Sequence, residues 1–216
     1  TMDQQLFNLA RRPAMQELLA PGQDVNFWGG VATMIFLMGW AIGGLGFGIL
    51  GDRLGRAKTM LWTILIYSAF TGLSALSVGF WDFAAYRFLT GLGVGGEFAV
   101  GVSLVAEVMP TRARPFALGL LQALSAAGNI TAAIVSMILF KMEESGAVGS
   151  AWRVMFVVGT LPALLAIFIR RSLKEPEKWH ALTDDEMKAK LGSYNELFSP
   201  KWRSNAEKIS VSCASG

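Results

Sequence analysis

The strongest constraint on what this chain can fold into is a run of 24 residues, Phe27 to Leu50, without a single charged side chain. As a helix rising 1.5 Å per residue, such a run exceeds the roughly 30 Å hydrocarbon core of a bilayer. Similar runs follow. Thr59 to Trp81 is uncharged, Phe83 to Ala106 is broken only by Arg87 and Glu97, Pro115 to Phe140 is uncharged, and Ala151 to Ile169 contains only Arg153. Five spanning helices are predicted. Composition agrees, because 16% of the residues are charged, against roughly a quarter in soluble domains.

The charges that remain are concentrated between the runs. Lys and Arg gather in short cytoplasmic loops of membrane proteins. The stretch Gly51 to Met60 holds Arg53, Arg56 and Lys58, the loop near Pro110 holds Arg112 and Arg114, and the exit from the fifth run holds Arg170, Arg171, Lys174 and Lys178. The alternate loops, Gly79 to Asp82 and Met142 to Ser150, hold no base. Residues 51–58 and those after 170 are therefore expected in the cytoplasm, and the segment before Phe27 outside. An even-numbered span then comes first, so one helix is expected upstream. The opening residue Thr1 fits an incomplete N-terminus.

Beyond Arg171 the chain becomes polar. Thr183 with Glu186 and Ser193 with Glu196 have capping-box spacing, in which a hydroxyl and a carboxylate satisfy the free N–H groups of a helix start. Residues 172–199 are expected to be a cytoplasmic linker with short helices. Residues 200–216 are too polar and short to span, and are expected to begin a further, truncated half.

Several function classes are disfavoured. A net charge of +3 would form a basic stripe with interleaved aromatics in a nucleic-acid binder, whereas here the bases sit at the ends of apolar runs. Cys213 and His180 are each the sole residue of their type, so no disulfide framework, metal site or cofactor is expected. No nucleophile and base pair suggests an enzyme. Gly91, Gly93 and Gly96 have dinucleotide-loop spacing, but that motif needs a strand before it and a helix N-terminus to hold pyrophosphate. Glycines in a spanning helix more often permit close packing, and Gly39 with Gly43 and Gly44 with Gly48 repeat the small-xxx-small pattern.

The ionisable residues inside the runs stand out, since each costs roughly 2.5–3.5 kcal/mol on insertion scales. Arg87 and Glu97 are about 15 Å apart along a helix and cannot pair with each other. Either Arg87 snorkels to the outer interface and Glu97 is a packing residue, or both mark a transport pathway. Gln122, Ser125, Asn129 and Ser136 fall within one narrow helical sector. This stripe is either a set of polar contacts between helices or the wall of a wet cavity.

With these positions fixed, the chain resembles the major facilitator superfamily, in its sugar-porter and metabolite:proton-symporter branches. The signature between helices 2 and 3 of that family is matched by Gly48, Asp52, Arg53, Gly55 and Arg56, with Ala57 and Lys58 where the family ends on a base. Arg87, Gly91, Gly93 and Gly95 match the helix 4 element, Glu107, Pro110 and Arg114 the one after it, and Trp152, Arg153, Met155, Phe156, Gly159 and Pro162 the start of helix 6. Glu175, Pro176 and Trp179 loosely match the stretch after helix 6.

The resemblance implies an all-α membrane protein: the N-terminal six-helix half of a twelve-helix fold, with most of helix 1 and the C-terminal half absent. Residues 1–26 would be the end of helix 1 and an outer loop, and 27–171 helices 2–6. It implies a cytoplasmic latch formed by Asp52, Arg53 and Arg56 with Glu107 and Arg114. It implies solute-binding amides at Gln122 and Asn129, with Ser125 between them. Asp3 falls where proton-coupled relatives carry an acid opposite Arg87, and Glu97 resembles the glycine-glycine-glutamate of metabolite symporters. The expected function is secondary active transport of a small polar solute, a sugar, organic acid or related metabolite, coupled to protons across a cell inner membrane. The expected partners are the solute, protons, the lipid bilayer and the missing half of the carrier. An uncoupled facilitator and a non-transporting receptor or assembly protein on the same fold are the rivals.

Overall fold

The computed structural model describes residues 2–110 and 112–161, without the side chains of Met2 and Asp3. Six helices make up this region: α1 Met2–Leu18, α2 Val25–Leu54, α3 Arg56–Ser74, α4 Phe80–Val108, α5 Arg114–Glu144 and α6 Ala151–Val158. Among the described residues α2, α4 and α5 are each long and apolar enough to cross a membrane. The capping boxes near residues 183 and 193, Pro162, Trp179 and the rest of the fifth run lie outside the described residues.

Packing is the reverse of a water-soluble bundle. Met34, Met38, Ile42 and Leu45 form an exposed stripe on α2, and Leu120, Leu124, Ile134 and Ile138 are exposed on α5. The interior of α3 is instead lined with hydroxyls, for Thr59, Thr63, Tyr67, Thr71 and Ser74 are buried along one face. In lipid there is no hydrophobic gain from hiding leucine, so interfaces are made by small residues and polar contacts. The most intimate pairing, α2 with α4, follows this rule. A β-carbon on Gly39 would overlap the Phe88 carbonyl, and one on Gly43 the Leu92 carbonyl. From the other side Gly91 and Gly95 meet the Phe36 and Trp40 carbonyls. Gly91, Gly93 and Gly96, with their dinucleotide-like spacing, are thus packing residues buried in the middle of a helix.

A second core lies where α1, α4 and α6 converge. Phe83 sits 6.3 Å from Phe7, 6.2 Å from Trp152 and 5.7 Å from Phe156, ring centre to ring centre. Leu6, Ala10, Ala14 and Met15 of α1 are buried with them.

Two boundaries depart from expectation. The Thr59–Trp81 run is not one helix: α3 stops at Ser74, the chain turns through Ala75–Gly79, and Phe80 and Trp81 open α4. The turn is made by bonds from Ala75 N to Gly72 O and Leu76 N to Leu73 O, and Ser74 spends its hydroxyl on the Phe70 carbonyl. The expected hairpin over residues 51–58 is also shorter than the charge pattern suggests. Gly51–Leu54 complete α2, Arg56 opens α3, and Gly55 alone makes the turn.

Candidate transport site

The turn at Gly55 explains the glycine of the charged motif. Its φ of 102° and ψ of 141° lie in a region that side chains other than glycine's avoid. So sharp a turn brings Arg56 back over the end of α2. There it pairs with Asp52, and its Nη1 donates to the Gly48 carbonyl at 3.4 Å. Nε reaches Glu107 Oε1 on α4 at 3.1 Å and Nη2 reaches the same oxygen at 3.0 Å. Gly48, Asp52, Gly55, Arg56 and Glu107 are therefore one assembly, with Arg53 on the exposed side of the same helical turn. Arg114 stands apart from the expected cluster, donating from Nε to the Met109 carbonyl at 3.2 Å.

Arg87 does not snorkel. It is fully buried in α4, with its guanidinium carbon 4.6 Å from the ring centre of Phe156, 5.6 Å from Phe7 and 5.7 Å from Phe83. Ring faces carry negative quadrupole charge, and a desolvated cation gains about 2 kcal/mol from such a contact. Ser74 Oγ accepts from Nε at 3.2 Å and from Nη2 at 2.7 Å, and Nη2 also donates to Thr90 Oγ1 at 3.1 Å. The side chain of Asp3, the expected partner, lies outside the described residues.

Glu97, ten residues further along α4, points elsewhere. It lines a cavity of about 390 Å³ between α3, α4 and α5, together with Gln122 and Ser125. Its remaining walls include Met60, Phe98, Leu118 and Leu121. A volume of this size is typical of small-molecule sites, in which apolar walls surround a few placed polar groups. The polar stripe of α5 is thus divided. Gln122 and Ser125 face the cavity, Asn129 is half-buried two turns from Gln122, and Ser136 is buried with its hydroxyl on the Ala133 carbonyl at 2.8 Å.

One cluster escaped sequence reasoning. Glu17, in the last turn of α1, accepts from Trp152 Nε1 at 2.6 Å, Ser150 Oγ at 3.1 Å and Arg153 Nη2 at 2.8 Å. Arg153 in turn donates to the Ala75 carbonyl at 2.6 Å and lies over the Trp152 ring. Partial burial pushes the Glu17 carboxyl up, but the bonds from Trp152, Arg153 and Ser150 and the charge of Arg153 outweigh it and leave it below the ordinary value. The acid lies more than 130 residues from each of its three donors, so no spacing announces it. The rings around Arg87 were equally hidden, whereas the period-four hydroxyls of α3 were visible but unused.

Comparison with known proteins agrees with this architecture. Residues 4–213 match the family model described as sugar (and other) transporter. A Haemophilus influenzae protein, whose name provisionally assigns it to metabolite transport, is 39% identical over 192 residues, covering 85% of this chain and 46% of its own length. The sialic acid transporter NanX of Escherichia coli is 37% identical over 138 residues, covering 64% of this chain and 32% of its own. The cis,cis-muconate transport protein of Acinetobacter baylyi is 34% identical over 150 residues, covering 69% and 35%. Among solved structures, the proton:xylose symporter XylE with bound 6-bromo-6-deoxy-D-glucose superposes with a TM-score of 0.69 at 18% identity, covering 95% of this chain and 50% of that one. The chain therefore spans half or less of the length of each of these four proteins. With its major facilitator fold and its multi-pass apolar helices, it belongs to the sugar (and other) transporter family.

Proposed function

We propose that the carrier containing this chain is a secondary active transporter that moves a small polar solute, a sugar, organic acid or related metabolite, with protons across a cell inner membrane. The observation that carries this reading is the cavity shared by Glu97, Gln122 and Ser125. An ionisable residue in a spanning helix is costly and marks a pathway by default. Here it stands beside an amide and a hydroxyl able to hold a polar solute, and Asn129 extends the polar face of α5. The names of the relatives support solute transport, and they include a sugar acid and a dicarboxylate.

In this proposal residues 27–171 belong to the moving N-terminal half, residues 1–26 end its first helix and outer loop, and 172–199 link it to a partner half that begins at 200–216. Alternating access would arise by rocking the halves around a midplane site. Residues 51–58 and those after 170 would face the cytoplasm. The assembly of Gly48, Asp52, Arg53, Gly55, Arg56 and Glu107 would latch that side while the carrier opens outward. Arg114 would contribute by fixing the end of α4 through Met109. Proton binding at Asp3 would weaken its attraction to Arg87, whose aromatic and hydroxyl surroundings keep the cation satisfied, and so change the relative energy of the two openings.

Proteoliposomes holding the intact carrier test the proposal with sialic acid, cis,cis-muconate and glucose as probes. Accumulation of a probe above its external concentration under an inward proton gradient, abolished by a protonophore, is expected. Equilibration without accumulation would identify an uncoupled facilitator, and no uptake of any probe would remove the transport proposal for these solute classes.

A further inference from the structure

We infer that Arg12, at the outer mouth of the carrier, selects for solutes that bear a carboxylate: its guanidinium meets the anionic group of the entering cargo, with Asn8 and Gln16 one turn away on either side. This rests on the transport reading above and adds the charge class of the solute to it. The starting point is the pattern of α1. Leu6, Phe7, Ala10 and Ala14 are buried and centre on one side of the helix. Asn8, Arg12 and Gln16 are exposed and Gln5 is half-buried, and these four fall within about 80° of arc on the opposite side.

α1 packs against α2, α5 and α6, and its remaining face is this polar one. A guanidinium facing lipid tails is costly, and the exposed faces of α2 and α5 show the apolar pattern suited to lipid, Met34, Met38 and Ile42 on one and Leu120, Leu124 and Ile134 on the other. The polar face of α1 therefore borders water, on the path between the two halves. Its depth follows from Arg11, which donates from Nη1 to Thr33 Oγ1 at 3.0 Å. Thr33 lies five residues, roughly 7.5 Å along α2, inside Trp28, whose ring meets Phe80 and Trp81 edge-on. Aromatic groups of this kind mark the headgroup level, so Arg12 stands just within the mouth.

The acids nearest in the chain are already engaged. Glu17 lies about 140° around the helix from Arg12 and accepts from Trp152, Ser150 and Arg153, while Asp24 accepts from Asn26 N at 2.8 Å as the cap of α2. The planar fork of a guanidinium matches a carboxylate with two parallel bonds, and the Asn8 and Gln16 amides add N–H donors beside it. A cationic mouth also raises the local concentration of an anion and its rate of entry.

The test uses the intact carrier in proteoliposomes, with sialic acid and cis,cis-muconate as anionic probes and glucose as the neutral one. At low ionic strength Arg12→Gln should raise the KM for an anionic probe about tenfold, with the loss in KM rather than kcat and glucose little affected. For the wild type that KM should climb as salt is raised from about 0.01 M to about 0.15 M, which cuts the screening length from roughly 30 Å to roughly 8 Å. For Arg12→Gln the climb should be much shallower. Arg12→Lys keeps the charge and should recover most of the affinity and of the salt dependence. Where only the anions are carried, the salt series and Arg12→Lys decide. An anion KM unchanged in Arg12→Gln, an equal rise for anion and glucose, or wild-type uptake of glucose and of neither anion would overturn the inference while leaving transport intact. So would an Arg12→Gln that loses only its stabilisation by added phospholipid, a result that gives the guanidinium to a lipid phosphate. A wild type that carries none of the three probes would overturn the transport reading itself, and this inference with it.

Discussion

Arg56 and Glu107, 51 residues apart in sequence, meet at 3.0 Å and fasten the first turn of α3 to the last turn of α4. The Arg56 side chain is 13% exposed and that of Glu107 37%, so this pair is better shielded than an ordinary surface ion pair. A double-mutant cycle of Arg56→Ala and Glu107→Ala, followed by thermal unfolding in detergent, should give a coupling energy of about 1 kcal/mol. Additive single effects would show that the two side chains are neighbours without holding each other.

Gly55 supplies the turn on which that pair depends. Replacing it with alanine forces a β-carbon onto a backbone at φ 102°, at a cost of about 1–3 kcal/mol. Gly79, at φ −141° with open space around its α-carbon, is the matched control. Gly55→Ala should lower the unfolding midpoint clearly and Gly79→Ala hardly at all; equal shifts would mean that the motif glycine is not kept for its conformation.

The α2 and α4 interface makes the same comparison by distance alone. A methyl at Gly43 overlaps the Leu92 backbone, which cannot rotate away, while one at Gly46 meets nothing. Gly43→Ala should destabilise by about 1–3 kcal/mol, the usual range for overpacking, and Gly46→Ala should be neutral or slightly stabilising. Unfolding of the two variants in the same detergent decides between a close-packed and a loose interface.

Much of this architecture was legible because lipid imposes one rule on every span. Runs with few or no charges located α2, α4 and α5, and the motif around Asp52 and Arg56 located the ion-pair assembly. What escaped were features made by tertiary convergence. The end of α3 at Ser74 was hidden because Ala75, Leu76 and Val78 keep the run apolar through the turn. Helix α1 was masked by Gln4, Gln5, Asn8, Arg11 and Arg12, although Leu6, Phe7, Ala10 and Ala14 form its buried stripe. The polar residues of α5 were read as one sector, yet only Gln122 and Ser125 of them line the cavity with Glu97. A sector fixes direction around a helix; the neighbour found there depends on the other helices.

Glu17 predicts a pH response. Its carboxyl is held below the ordinary value of 4.5 in the folded protein, so the unfolded chain takes up a proton first as the solution is acidified. Its contribution is complete above that ordinary value and is lost as pH falls through the lowered folded one. Thermal midpoints measured from neutral pH down to about pH 3 should therefore decline for the wild type, with a flatter profile for Glu17→Gln. Superimposable profiles would assign the acid sensitivity to other carboxylates.

Ser74 carries the sharpest structural prediction, because one hydroxyl does three things. It accepts from two nitrogens of the fully buried Arg87 and donates to the Phe70 carbonyl at 2.8 Å, which uses its whole bonding capacity. Ser74→Ala removes an acceptor of two guanidinium nitrogens from a desolvated cation that also contacts Thr90 and three rings. Loss of a bond to a charged group costs about 1.5–3 kcal/mol. Ser103→Ala is the control, since that hydroxyl bonds only to the Ala99 carbonyl one turn back on its own helix and its removal should change stability by no more than about 0.5 kcal/mol. Ser74→Thr keeps the oxygen and should recover most of the loss. If Ser74→Ala and Ser103→Ala shifted the unfolding midpoint equally, the Ser74 hydroxyl would not be what holds Arg87 inside the bundle.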